Sequence, residues 1–177
     1  MPVCESRPMR TTLLLGLLLM LPCSAEREKF AKDKYSIDVP ASWKKPDADA
    51  GKVLLVRQNK EGTGIFAISR MEVKEGAKAD LDATTKSLTA NYKKDMGLED
   101  DPKAEPGEVD GLDARFVVVA PPKEKQKADA ETPPTMVYLV VIDAKTEVLV
   151  MQATLAMPVA KETGEACLAM IQSFKRE

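Results

Sequence analysis

The residues that could carry chemistry in this sequence are mainly carboxylates, because histidine is absent and cysteine is scarce. The 177 residues include 28 Asp+Glu, 26 Lys+Arg, 3 Cys and no His. Without His there is no Ser-His-Asp triad, no Cys-His dyad and no His ligand for a metal ion. Paired carboxylates can perform acid-base chemistry without His, but no spacing in the sequence selects a pair. The composition therefore favours a non-enzymatic protein, and a carboxylate hydrolase of unknown substrate stays open as an alternative.

Two short patterns resemble ligand sites but lack what those sites require. Residues 62–67 read Gly-Thr-Gly-Ile-Phe-Ala, which has the glycine spacing of a dinucleotide loop. Such a loop must open a helix that holds the pyrophosphate, and strand-like residues follow instead. Asp47-Ala48-Asp49 starts like a calcium loop, but Gln58 stands where that loop needs Glu. No cofactor and no metal site is therefore predicted.

Four polar side chains interrupt or flank otherwise apolar strands. They are Gln58, Arg70, Arg115 and Gln152. If one face of the sheet is left uncovered, these side chains are candidates to border a groove for a protein partner. The alternative is a solvated sheet face or a single buried hydrogen bond.

The net charge of −2 excludes a strongly basic nucleic-acid binder.

The N-terminus has the three parts of a secretory signal. Arg7 and Arg10 supply positive charge, residues 11–21 are almost wholly apolar, and small residues follow. Cleavage between Ala25 and Glu26 is predicted, which removes residues 1–25 as a signal peptide. The apolar run is shorter than the roughly 20 residues that span a membrane, so no membrane span is expected after processing.

Cys23 leaves a second mode of export open. Plain cleavage predicts a periplasmic or secreted protein, whereas lipid on Cys23 would anchor an outer-membrane lipoprotein. Pro22, directly before the cysteine, fits a lipoprotein signal poorly. Both Met1 and Met9 are suitable starts for the signal.

The processed chain alternates between the periodicity of strands and that of helices. Apolar residues spaced by three and four predict a helix over residues 80–96, with Asp80 or Asp82 as its N-cap and Gly97 at its end. A second helix is predicted near the C-terminus, with Cys167 as a small buried residue. Strands fill most of the rest, in the order β-β-β-α-β-β-β-α. Hairpins dominate this order, which predicts an α+β fold with helices packed on an antiparallel β-sheet.

The domain boundaries follow from the same patterns. We expect a short linker at residues 26–32 and one domain at 33–176. Residues 98–108 are predicted as an acidic loop. Residues 121–134 contain no large apolar side chain, so they are predicted as a mobile loop that cannot pack.

Three segments together resemble one family. Residues 35–43 match its "Y-S-[IF]-x-[VL]-P-x-x-W" opening, residues 109–115 resemble its central "x-G-x-x-A/G-R" segment, and residues 171–174 resemble its closing "I-x-x-S-F". The family is the PsbP/DcrB-like domain superfamily. It includes the PsbP proteins of photosystem II, DcrB-like proteins of the bacterial envelope and the Eag chaperones of secreted effectors. The resemblance covers about residues 30 to 176.

This resemblance implies an α/β/α sandwich and a role in binding and assembly rather than catalysis. It implies that Pro40 and Trp43 are structural, and it carries over no catalytic residue. The sequence therefore predicts an exported, non-enzymatic binding domain of a bacterial cell envelope, with an unidentified protein partner. One alternative is a chaperone-like protein that shields an apolar segment of a secreted effector, although the signal sequence argues against the cytosolic Eag branch. The other alternative is the carboxylate hydrolase.

Overall fold

The computed structural model describes residues 24–32, 34–47, 53–73, 78–126 and 133–177. Within them the chain forms nine strands: β1 Ala25–Phe30, β2 Tyr35–Pro40, β3 Val53–Gln58, β4 Gly64–Glu72, β5 Ala104–Val109, β6 Leu112–Val119, β7 Thr135–Asp143, β8 Glu147–Ala156 and β9 Lys175–Arg176. The helices in these ranges are α1 Leu81–Met96 and α2 Lys161–Gln172, and a short 3-10 turn lies at Lys123–Lys125.

The strands form two antiparallel sheets. The larger sheet has six strands in the order β3-β4-β8-β7-β6-β5, and the smaller has three in the order β1-β2-β9. Helix α1 packs on β6 and β7, whereas α2 packs on β2 and β8. The two helices lie on opposite faces of the large sheet, each over its own core cluster, which confirms the predicted α+β architecture.

Three strands are missing from the predicted order, and each lacks the apolar alternation of a half-buried strand. The sequence predicts a linker at residues 26–32, but β1 pairs with β2 from Ala25 to Phe30. Most β1 side chains are exposed, so backbone hydrogen bonding rather than a buried face defines this strand. Backbone pairing also defines β5, which occupies much of the expected acidic loop at 98–108 and has only Val109 buried, and the exposed two-residue β9.

The larger core cluster lies between the large sheet, the small sheet and α2. Its fully buried side chains include Phe66 and Ile68 from β4, Met151 from β8 and Phe174 after α2. Phe174 stacks on Tyr35 with ring centroids 5.6 Å apart. The shared burial of aromatic and aliphatic side chains joins the two sheets into one body.

The smaller core cluster lies under α1, where Leu81 packs against valines of the sheet such as Val117 and Val141. Asp80 is the N-cap, since its side chain accepts a hydrogen bond from the Ala83 amide at 2.9 Å. The helix ends at Gly97, which adopts the left-handed conformation (φ 65°) without strain. Both ends of α1 therefore agree with the sequence prediction.

The C-terminal strand is held by the hairpin between β5 and β6. Asp110 accepts hydrogen bonds from the Arg176 amide at 2.9 Å and from the Lys175 ammonium at 3.0 Å. These donors, the backbone amide first, hold the pKa of the Asp110 carboxyl below its usual range. The carboxylate is thus part of the link between the two sheets.

We expect Asp110→Asn to lower the free energy of unfolding by about 0.5–1 kcal/mol at about pH 7, as for other partly exposed ion pairs. Asn suits the site because Asp110 has a φ of 51°, which Asn tolerates. Since the folded pKa is lowered, the stabilisation exists above the unfolded pKa of about 3.9 and disappears as pH falls through the folded value. Urea unfolding of both proteins at about pH 7 and about pH 2 measures this. An equal difference at the two pH values would contradict the assignment.

Candidate functional site

Within the part of the chain that the structure describes, no helix lies over one half of a sheet face. Side chains from β3 and β4 form this surface, on the same side of the large sheet as α1. We call it the open face and define it as Val56, Gln58, Ile65, Ala67, Ser69 and Met71. A helix is about 10 Å wide and neighbouring strands lie about 4.8 Å apart, so one helix covers about two strands. Because α1 packs on β6 and β7, the β3 and β4 half is not covered by either described helix, and its side chains are half-buried or exposed.

Strand β4 carries apolar side chains on both of its faces, interrupted by Ser69 on the open face and by Arg70 on the other. Phe66 and Ile68 point into the larger core and are fully buried. On the opposite face, Ile65 is 39% exposed and Met71 is 43% exposed. An antiparallel strand with one solvated face normally has polar side chains there. Grouped apolar side chains at an exposed site are typical of a protein-interaction surface.

A polar boundary separates the open face from α1. Gln152 of β8 pairs in register with Ala67 of the open face. Its amide oxygen accepts a hydrogen bond from the Tyr92 hydroxyl of α1 at 3.0 Å, and its amide nitrogen donates to the Thr154 hydroxyl at 3.0 Å. Burial raises the pKa of Tyr92. These contacts fix Gln152 as the border of the open face.

A basic cavity of about 600 Å³ adjoins the end of the open face where Gln58 pairs with Ile65. We call it the lysine pocket and define its charged lining as Lys44, Lys45, Lys60 and Asp47. Gln58 also lines it, and is therefore shared by the pocket and the open face. Lys44 is held at this position because its backbone makes two hydrogen bonds to Gln58, at 2.9 and 2.8 Å. The apolar surface and the positive charges are thus contiguous.

Arg70, one of the four polar residues selected from the sequence, lies on the opposite face of β4. Its guanidinium is 3.9 Å from the Glu147 carboxylate. Glu147 also accepts a hydrogen bond from the Tyr35 hydroxyl at 2.8 Å. Burial, more than Glu147, raises the pKa of Tyr35 to about 12. Arg70 therefore belongs to a polar cluster next to the larger core and not to the open face.

Arg115, another of the four, lies near the start of α1. Its guanidinium pairs with the Asp82 carboxylate at 2.6 Å. The structure therefore brings only Gln58 and Gln152 to the open face.

A second cavity is lined by several carboxylates, the groups on which the hydrolase alternative depends. It measures about 340 Å³, and its lining includes Asp80, Asp82, Asp143 and Arg115. The hydrogen bond from Arg115 lowers the pKa of Asp82, whereas a general acid needs a raised pKa. Asp80 caps α1, and Asp143 accepts a hydrogen bond from the Lys145 amide at 2.8 Å. These carboxylates have structural partners.

The cysteines and the predicted cleavage site lie away from both cavities or outside the described residues. Burial raises the pKa of the Cys167 thiol to about 12, which fits its predicted place in the core. Cys23 lies outside the described residues, and Ala25 and Glu26 are the exposed first residues of β1.

Among the described side chains, no group of three or more His, Cys, Asp or Glu could hold a metal ion. No helix in the described part of the chain is long and apolar enough to cross a membrane.

The predicted loop at residues 121–134 is only partly described. Its first residues form the 3-10 turn, and the Gln126 side-chain amide donates to the Pro121 carbonyl at 2.6 Å. Residues 127–132 lie outside the described part of the chain.

Sequence reasoning missed the apolar members of the open face. Ile65, Ala67 and Met71 lie in one alternating row of β4 that only Ser69 interrupts, and Phe66 and Ile68 lie in the other. Two apolar rows on one strand predict cover on both faces. The detectable signal is that the sequence predicts only two helices, which cannot cover every strand on both faces of a wide sheet.

Residues from each of the three sequence motifs meet where the small sheet joins the large one. Tyr35 of the first motif stacks on Phe174 of the last. The Asp38 amide donates to the Ser173 hydroxyl at 2.8 Å, again joining these two motifs. Asp110 of the central motif bonds to β9, which directly follows the last motif. The motifs therefore specify how the small sheet is fastened to the large one.

Comparison with known proteins identifies the fold. No family model and no curated protein matches the sequence. The cyanobacterial PsbP (CyanoP) of Synechocystis matches over 88% of this chain and 94% of its own, with 12% identity and a TM-score of 0.61. The Ran-binding protein Mog1p of Saccharomyces cerevisiae matches over 87% of this chain and 96% of its own, with 8% identity and a TM-score of 0.55.

A protein of Bacteroides thetaiotaomicron matches over 86% of this chain, with 12% identity and a TM-score of 0.55. This chain spans only 48% of that protein's length. At these identities the likeness concerns the fold. The chain has the PsbP-like fold that its three motifs predict.

Proposed function

We propose that this chain is an exported, non-enzymatic domain that binds a protein partner through the open face. The observation that carries the proposal is the exposure of Ile65 and Met71 on one face of β4, beside α1. Covering these side chains would remove apolar surface from water, which is the main favourable term in protein association. Mog1p, which has the same fold, is a Ran-binding protein, so this architecture is compatible with protein binding.

The export half of the proposal rests on the signal-like residues 1–25. We expect a soluble periplasmic or secreted species that begins at Glu26. Intact mass and cell fractionation in a Gram-negative host test this. A species bearing lipid on Cys23 would instead make the protein an outer-membrane lipoprotein, and an unprocessed cytosolic species would contradict export.

Site-specific photo-crosslinking tests the binding half in living cells. A photoreactive amino acid replaces Ile65, and we expect a discrete crosslinked species that mass spectrometry can identify. Val118 is the matched control, because it is a 53% exposed apolar residue on the opposite face of the same sheet. Equal crosslinking at both positions, or none at Ile65, would contradict binding through the open face.

The chaperone alternative uses the same exposed surface. It requires an uncovered apolar sheet face, and Ile65, Ala67 and Met71 contribute to one that is about two strands wide. On this alternative the crosslinked species would be a secreted effector, joined through a wholly apolar segment.

A further inference from the structure

We propose that the partner presents an amphipathic helix whose one end is acidic. The helix would lie on the open face beside α1, with its acidic end at the lysine pocket. This inference rests on the proposed function and names the class of partner for the same surface. Three features of the described residues support it: the protected sheet edge, the width and length of the open face, and the charge at one end of it.

The free edge of β3 is poorly suited to pairing with a partner strand. A register shift interrupts β3 between Val53 and Leu55. The Arg57 guanidinium donates to the Val56 carbonyl at 2.6 Å and forms an ion pair with Glu28 of β1. Irregular, charged edges of this kind prevent strand addition.

The end of this edge is occupied, and the other edge of the sheet is also protected. The backbone of Gln58 already pairs with Lys44. At the other edge of the large sheet, β5 contains Pro106, which has no amide hydrogen to donate. A partner is therefore expected to pack on the face of the sheet rather than extend it.

The dimensions of the open face suit one helix. Strands β3 and β4 lie next to each other, and two strands are about as wide as one helix. Ile65 and Met71 lie on the same strand, and their separation along the sequence corresponds to about 20 Å of strand. A helix of about 14 residues has the same length. Such a helix would extend the layer that α1 begins.

The positive charge at one end of the open face favours a partner helix whose nearby end is negatively charged. The lysine pocket combines its lysines with a single acid, Asp47. Its shared residue, Gln58, pairs in register with Ile65, so the pocket lies at the Ile65 end. A helix whose apolar side covers the open face would bring its terminal residues to these lysines. Acidic residues there would be favoured by charge complementarity.

A displayed library of helical peptides of about 14 residues, selected on the purified protein, tests this inference. We expect enriched peptides to carry an apolar stripe at i, i+3, i+4 and i+7 and Asp or Glu at one end. Ile65→Asp is expected to weaken their binding at least about tenfold, because it places a charge against the stripe. Val118→Asp on the opposite face is the matched control, with binding expected to be unchanged.

The charge prediction has its own pair of variants. Lys44→Glu/Lys60→Glu is expected to weaken the selected peptides about fivefold, as for two exposed ion pairs. Lys34→Glu/Lys103→Glu makes the same charge change at exposed lysines outside the pocket and is expected to have no effect. Circular dichroism and thermal unfolding of each variant verify that it remains folded.

Several results would overturn the inference. Wholly apolar helices that are insensitive to the lysine substitutions would favour the chaperone alternative. Basic or extended peptides, a dimer of this chain that Ile65→Asp dissociates, or no enrichment over the Ile65→Asp variant would each reject an acidic helix. If the crosslink at Ile65 is still observed in cells, the proposed binding through the open face stands although the acidic helix is rejected.

Discussion

Phe174→Ala is expected to lower the free energy of unfolding by about 3–5 kcal/mol, the range for deleting a buried aromatic side chain. Phe174 is fully buried, and its ring stacks on Tyr35 at 5.6 Å and lies 6.4 Å from Phe30. Its removal leaves a cavity where α2, β2 and the large sheet meet. Because stabilities of small domains are often only about 5–15 kcal/mol, this loss is a large fraction of the total.

Denaturant unfolding followed by the fluorescence of the single tryptophan, Trp43, measures the effect. Leu168→Ala is the control, because Leu168 lies on α2 with 46% of its surface exposed. A change within about 0.5 kcal/mol is expected there. A Phe174→Ala protein as stable as the control would contradict the packing described for this junction.

The position of Phe174 explains what the family-like motifs do. Each motif contributes to the attachment of the small sheet, through the Tyr35–Phe174 stack, the Asp38–Ser173 hydrogen bond and the Asp110 carboxylate. None of these residues belongs to the open face. The motifs therefore indicate the fold, and only the end of the first motif, at residues 41–43, approaches the lysine pocket.

The elements with strong periodicity could be predicted from the sequence. The residues that flank α1 stop the helix where expected, with Asp80 at its start and Gly97 at its end. Strands β1 and β5 could not be predicted, because neither has apolar side chains in alternation: β1 is mostly exposed and charged, and β5 contains Pro106 and Gly107. Their positions depend on backbone pairing with β2 and β6, which no local pattern encodes.

The candidate site could be predicted only in part, for a related reason. Gln58 and Gln152 stand out because each is polar beside apolar strand residues; Gln58 belongs to the open face and Gln152 borders it. Arg70 and Arg115 stand out equally, yet ion pairs with nearby carboxylates account for them. Which apolar row of β4 stays uncovered depends on where α1 packs. That placement is a tertiary property, so the strand alone could not reveal it.

Trp43→Ala is also expected to cost about 3–5 kcal/mol of unfolding free energy, since Trp43 is buried in the larger core cluster. Its ring packs beside Gly64 at the start of β4. A Cβ atom built on Gly64 would lie 3.1 Å from the Trp43 ring and 2.7 Å from the Thr163 methyl. The missing side chain at Gly64 therefore makes room for the indole, and the two positions should be energetically coupled.

A double-mutant cycle tests this coupling. Gly64→Ala alone is expected to cost about 1–3 kcal/mol through overpacking. In the Trp43→Ala background the same change should cost less, with an interaction energy of at least about 0.5 kcal/mol. Circular dichroism is the readout, because the variant has lost its only tryptophan. If the two losses of unfolding free energy are additive, the contact with Thr163, and not the one with Trp43, explains why a side chain at position 64 is unfavourable.

The effect of Trp43 should extend to the lysine pocket although its side chain is in the core. The Trp43 amide donates to the Pro40 carbonyl at 2.8 Å, and the next residue, Lys44, pairs with Gln58. Trp43 thus fixes the segment that supplies two of the pocket's lysines. Trp43→Phe, which keeps an aromatic ring there, is expected to retain crosslinking at Ile65, whereas Trp43→Ala is expected to reduce it at temperatures where the protein is still folded. Undiminished crosslinking in folded Trp43→Ala would show that the core does not position this end of the site.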